Sequence, residues 1–89
     1  MKYIYILYSL KHDRLYVGMT GNLAERFLSH NYLATKGFTR KYRPWLLLHV
    51  EKFESIDQAF KRERNLKSGQ GRKWIREVLL DNKYGIISA

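Results

Sequence analysis

Apolar and polar positions alternate in short bursts along this chain, and the period of each burst predicts an element. In "YIYILYS", residues 3–9, Ile4, Ile6 and Tyr8 would face one side of a strand, and Tyr3, Tyr5 and Leu7 the other. These β-branched and aromatic residues suit a strand. "LKHDR" reads as a short polar turn and "LYVG" as a second strand, close enough in sequence for an antiparallel hairpin. The period then lengthens. "GNLAERFLSHNYL" places Leu23, Ala24, Phe27 and Leu28 on one apolar arc, and Asn22 with Glu25 has capping-box spacing, so a helix is predicted. "KGFTRKYR" reads as a basic loop, with Gly37 and Pro44 interrupting the pattern. "PWLLLHVEKF" is too short and too continuously apolar for an amphipathic helix and predicts a buried third strand.

A second helix is predicted over "SIDQAFKRERNLK", where Ser55 stands three before Gln58 and Asp57 lies in the first turn. "SGQG" breaks it, and "RKWIREVLLDN", with Trp74, Ile75, Val78 and Leu79 at helical spacing, predicts a third. The expected order is β-β-α-β-α-α: an α+β domain over residues 1–80, with a three-stranded sheet flanked by helices and a tail at 81–89.

Composition narrows the class. One small domain of 89 residues has room for a single modest core. The absence of cysteine removes disulfides, thiolate metal sites and cysteine nucleophiles together. "MKYIYILYSL" does not read as a signal peptide, because its apolar run carries three tyrosines and meets the charged "KHDR" without a small-residue cleavage site. No stretch approaches the roughly 18 apolar residues of a membrane span. The expectation is a soluble, cytoplasmic protein. Seventeen Lys and Arg against eight Asp and Glu leave a net charge of +9. A field of that sign concentrates polyanions, nucleic acid above all, although charge alone also serves solubility. The basic residues do not form the polar face of one amphipathic helix, which disfavours a membrane surface.

Three side chains stand out against this background. Arg26 and His30 are four apart on the first helix and lie beside Leu23 and Phe27, at the edge of the apolar arc. Taken alone they also fit a snorkelling arginine and a surface histidine. Glu63 falls inside the apolar stripe of the second helix, near Ala59, Phe60 and Leu66. A buried carboxylate needs compensation, from an ion pair with Arg26 or from a metal ion. Mg²⁺ commonly binds through one or two carboxylates plus substrate phosphates, so a single glutamate in basic surroundings suits a nuclease centre. No HExxH motif, Ser–His–Asp order or Walker loop is present, and "SGQGRK" reads as a helix connector touching phosphate.

With Tyr5, Tyr16, Arg26, His30 and Glu63 in place, the chain closely resembles the GIY-YIG nuclease family. The two motifs stand here as Tyr3-Ile4-Tyr5 and Tyr16-Val17-Gly18, with Tyr5 and Tyr16 eleven apart, Arg26 ten after Tyr16 and His30 fourteen after it. The resemblance spans nearly the whole chain and is greatest to small standalone members, which share the pattern of "HN", "TRKYRP" and "KRERNLK". The N-terminal nuclease domain found in excinucleases is of the same type. The resemblance implies a metal-assisted phosphodiester hydrolase acting on DNA, in repair or processing, with Glu63 holding one divalent ion, Mg²⁺ or Mn²⁺. Tyr16 would act as general base or position the attacking water, and Arg26 would neutralise transition-state charge. His30 and Tyr5 would hydrogen-bond the phosphate, the water or Tyr16. A tyrosine base at neutral pH needs its pKa lowered by roughly two to three units, failing which His30 is the better candidate.

Two departures accompany the resemblance. Tyr3 replaces the first glycine of the GIY motif, as in the standalone members, and the late asparagine of many members has no clear equivalent in Asn82, Asn31 or Asn65. Thr39, Arg40, Lys41, Arg43, Lys67, Arg72 and Lys73 are the expected phosphate contacts. Family relatives borrow specificity from attached DNA-binding domains, so the expectation here is low sequence specificity toward single-stranded, branched, damaged or duplex DNA, or a protein partner that supplies it. The alternatives are a nucleic-acid-binding module of the same fold with little catalysis, and an interaction protein. The latter is disfavoured by the +9 charge.

Overall fold

The computed structural model describes residues 1–33 and 37–81. Asn82 and the rest of the expected tail beyond Asp81 lie outside the described residues. Strand β1 (Lys2–Ser9) is the centre of a three-stranded sheet in the order β2-β1-β3, with β2 (Arg14–Thr20) and β3 (Leu46–Phe53) both antiparallel to it. The predicted order of strands and long helices is present. No helix among the described residues is long and apolar enough to cross a membrane.

The period-two pattern of β1 explains why both faces of the sheet are covered. Ile4, Ile6 and Tyr8 point to one side, where they pack with Leu48, Ala59, Leu66, Ile75, Leu79 and Leu80. Tyr5 and Leu7 point to the other and join Trp45, with Tyr16, Leu23, Phe27 and Tyr42 around them. Helices α3 (Ile56–Lys67) and α4 (Gly69–Trp74) therefore serve the first face, and α1 (Leu23–Leu28) the second. Between Ile6 and Leu7 the pairing with β3 slips by one residue, and the residue passed over, Leu48, is turned into the core.

Several expectations from periodicity are corrected. The first and third helices widen into π-helical turns at Ser29–Leu33 and Ile75–Leu80. With more than 3.6 residues per turn, Ile75, Leu79 and Leu80 share the buried side while Val78 rotates outward, 40% exposed. Ala24 and Leu28 are exposed rather than part of a buried arc, because α1 rests on the sheet through Leu23 and Phe27 alone. On α3 the contact line runs through Ala59 and Leu66, seven residues apart. Phe60, one position round the helix, is 47% exposed.

The basic loop holds one helical turn, α2 (Phe38–Lys41). "SGQG" breaks the helix, and it does so at Ser68 alone. Ser68 closes α3, its hydroxyl donating to the Asn65 carbonyl at 2.5 Å, and opens α4 by accepting from the Gly71 N–H at 3.1 Å. Gly71 is buried in the first turn of the new helix.

Candidate active site

The register of the first hairpin assembles the centre. Gly18 stands opposite Tyr5 and Tyr16 opposite Leu7, so the two tyrosines are diagonal neighbours on one face of the sheet. Their rings stack at 6.1 Å, 30° apart. A Cβ on residue 18 would collide with the Tyr5 hydroxyl and lie 2.5 Å from its Cζ. The glycine of the second motif thus makes room for the Tyr5 ring.

His30 enters from the π-helical turn after α1. Its ring lies 4.8 Å from that of Tyr16 and 5.7 Å from that of Tyr5, and its Nε2 is 2.8 Å from the Tyr5 hydroxyl. His30 is buried, not a surface histidine. Burial, followed by the charges of Arg26 and Arg43, pushes its pKa below the ordinary 6.5. Tyr5 moves the other way: burial and the neighbouring Tyr16 raise its hydroxyl above the ordinary range, Arg26 opposes this, and Glu63 adds to it. Tyr5 is therefore a protonated phenol hydrogen-bonded to a neutral His30, and the imidazole tautomer decides which of the two donates.

These shifts place Arg26 and Glu63 within electrostatic reach of Tyr5. Arg26 is exposed and lines a groove of about 280 Å³ with Thr20, Asn22, Glu25 and Ser29. The expected Arg26–Glu63 ion pair does not form among the described residues. Glu63 is half-buried and not in the core, its side chain 20% exposed, with Lys67 Nζ 3.6 Å from its Oε2. It lines a groove of about 490 Å³ with Phe60, Arg64, Lys67 and Ser68. Tyr16 lines a third groove, of about 220 Å³, with Leu15, Val17, Lys67 and Arg72. Lys67 belongs to both, so the carboxylate and the tyrosine face adjoining space.

The expected phosphate contacts divide. Lys67 and Arg72 border the Tyr16 groove, while Arg40, Lys41 and Lys73 are exposed elsewhere. Arg43 is engaged within the fold, its Nε donating to the His30 carbonyl at 2.6 Å and a terminal nitrogen to that of Ser29 at 3.1 Å. Thr39 is buried, and its carbonyl accepts the Trp45 indole N–H at 2.6 Å. Asn31 brackets the Trp45 backbone, accepting from its N–H at 2.6 Å and donating to its carbonyl at 3.1 Å. Together these bonds lock the turn that presents His30 onto the chain leading into β3. Sequence patterns also passed over Arg62, which makes a bidentate pair with Glu51 at 2.8 Å on the far face of the sheet. Nothing in the spacing of those two residues announces that contact.

The GIY-YIG catalytic domain model matches residues 1–75. The chain belongs to the GIY-YIG family. Among its relatives are three UPF0213 proteins. That of Natronomonas pharaonis is 36% identical over 74% of this chain and 76% of its own length. Those of Staphylococcus haemolyticus and Clostridium perfringens are 35% and 39% identical, over 74% and 75% of this chain and 79% and 71% of theirs. No solved structure shows significant similarity. GIY-YIG domains are nuclease domains, which makes nucleic acid the substrate class that membership implies and a divalent metal the family's general cofactor.

The buried pair makes stability pH-dependent. His30 has a lower proton affinity folded than unfolded, so the unfolded chain takes up the extra proton as pH falls below 6.5. Its contribution is complete above that pH and is lost on acidification. Asp13 and Glu51, held low by hydrogen bonds from Arg76 and Arg62, give up theirs only in a more acidic window, below 3.8 and 4.5. Thermal melts from about pH 7 to pH 5 should show a steeper fall in Tm for wild type than for His30→Gln. Equal slopes would mean that His30 titrates as freely in the fold as out of it.

Proposed function

We propose that this protein is a metal-dependent DNA endonuclease of low sequence specificity. The observation that carries this reading is the convergence of Tyr5, Tyr16 and His30 on one face of the sheet, with Arg26 and Glu63 close enough to shift the Tyr5 hydroxyl. Glu63 fits a hard divalent cation. Among the described residues its only close cation is Lys67, beyond hydrogen-bond distance, so the carboxylate has no hydrogen-bond partner there to displace. Glu63 would hold Mg²⁺ or Mn²⁺, whose contribution is to neutralise charge on the scissile phosphate and the leaving oxygen.

The chain's own groups supply the rest. His30 Nε2 is engaged by the Tyr5 hydroxyl, which makes these two an orienting pair and leaves Tyr16, on the groove, to position or deprotonate the attacking water. Arg26 and Lys67 carry fixed positive charge toward the phosphate, the guanidinium fork of Arg26 matching two of its oxygens. Water adds to phosphorus, the bond to the leaving oxygen breaks, and that oxygen takes up a proton.

The test is incubation with single-stranded, branched and duplex DNA in Mg²⁺ or Mn²⁺. Cleavage should appear with metal, stop on chelation and resume when metal is restored. DNA binding without cleavage under every condition would favour the binding module instead.

A further inference from the structure

We propose that a second phosphate subsite lies at the hairpin end of β2, between Arg14 and Arg72, and that a nucleic-acid strand bound at Tyr16 continues into it along the open edge of that strand. The proposal rests on the nucleic-acid reading of the Tyr16 groove but not on catalysis.

Continuity is the first argument. β2 is an edge strand, so no further strand covers its outer side among the described residues. The Tyr16 groove shares Leu15 and Arg72 with a neighbouring groove of about 330 Å³, which Asp13, Arg14 and Arg76 complete. The two form one channel from Tyr16 to the turn.

Charge is the second. The channel's carboxylate, Asp13, is already committed, accepting from Arg76 at 2.9 Å and from the Tyr8 hydroxyl at 2.9 Å. Arg14 and Arg72 are exposed and make no ion pair among the described residues. Two guanidinium groups without carboxylate partners on opposite walls of a groove suit a phosphodiester, whose oxygens accept paired N–H donors.

Preorganisation is the third. The Arg14 guanidinium lies over the Tyr42 ring, 5.3 Å from its centroid, and Lys41 Nζ approaches the same ring at 5.4 Å. A hydrogen bond from Arg14 to the Tyr42 hydroxyl adds to this contact, and holding the guanidinium in place lowers the entropy cost of binding. Tyr42 thus acts as a positioning residue for Arg14. Spacing agrees, since Arg14 and Tyr16 are two residues apart on one face of β2, about 6.6 Å. That is comparable to one step of a nucleic-acid backbone.

Binding is measured by fluorescence anisotropy in chelator, with labelled oligonucleotides lengthened one nucleotide at a time and salt varied. Arg14→Gln and Arg72→Gln should each weaken binding and lower the slope of log Kd against log salt by about 0.7–0.9. The double variant should lose the gain in affinity that wild type shows as the strand lengthens. Arg14→Lys, which keeps the charge but not the fork, and Tyr42→Phe, which keeps the ring but not the hydroxyl, should each retain the salt slope with part of the affinity, whereas Tyr42→Leu should behave like Arg14→Gln. Lys61→Gln, at an exposed position of α3 off the channel, should change little. Equal melting temperatures across the exposed arginine variants check folding. A double variant with wild-type Kd, slope and length dependence would overturn the subsite while leaving the nuclease reading intact. Absence of DNA binding by wild type would overturn both, and cleavage failure alone would touch only the nuclease reading.

Discussion

Glu63→Gln is expected to reduce metal-dependent cleavage at least about a hundredfold, the cost of removing one electrostatic group from a preorganised site. The substitution keeps the shape of the side chain and exchanges a carboxylate for an amide, a poor ligand for a hard cation. Stability should move by no more than about 0.5 kcal/mol, because Glu63 has only the loose Lys67 pair to lose and sits in an open groove. DNA binding in chelator should be equal or tighter, since a negative charge leaves the neighbourhood of Lys67 and Arg64. Loss of cleavage with retained binding and an unchanged melt assigns the carboxylate to metal and transition state. A variant that cuts as fast as wild type would mean that the metal is held elsewhere or that the activity is a contaminant's.

The division of β1 into two apolar faces was legible because a period of two leaves no choice once the strand is assigned. Ile4, Ile6 and Tyr8 fell on one core and Tyr5 and Leu7 on the other, as alternation requires. The meeting of Tyr5 and Tyr16 was less secure. It depends on a turn over residues 10–13 that sets Tyr5 against Gly18, and a slip of one residue would send Tyr16 to the opposite face. The resemblance to a family resolved what turn chemistry could not.

Helix faces were harder to read for a physical reason. The outward rotation of Val78 follows from π-helical widening, and the exposure of Phe60 from the line on which α3 meets the sheet. Neither is encoded in a 3.6-residue period. Arg43 looked like a phosphate contact because its type and position suited that role, and Asn31 had no clear role in the sequence. Their bonds to the carbonyls of Ser29 and His30 and to the Trp45 backbone depend on where the chain returns after the loop. Tertiary hydrogen bonding of this kind leaves no periodic trace in a single sequence.

Gly71→Ala should produce the largest loss of stability, about 3 kcal/mol, seen as a fall in Tm of more than about 10 °C. A Cβ at this position would clash with the Asn65 carbonyl oxygen and lie 2.5 Å from Leu66 Cα and 2.7 Å from its carbonyl carbon. All three are backbone atoms, so no rotamer change relieves the overlap. α4 must instead swing away from the end of α3, unseating Ile75, Leu79 and Leu80 from the core that Leu66 anchors. The same movement shifts Arg72 relative to Lys67 across the Tyr16 groove, and DNA binding should weaken even where the variant remains folded. Gly69→Ala supplies the contrast within the same helical turn. Nothing lies within 4 Å of a Cβ there, so the lower backbone entropy of alanine should leave stability unchanged or raise it by up to about 1 kcal/mol. Equal melting temperatures for the two variants would show that the α3–α4 corner has room to spare and that Gly71 is there for turn chemistry alone.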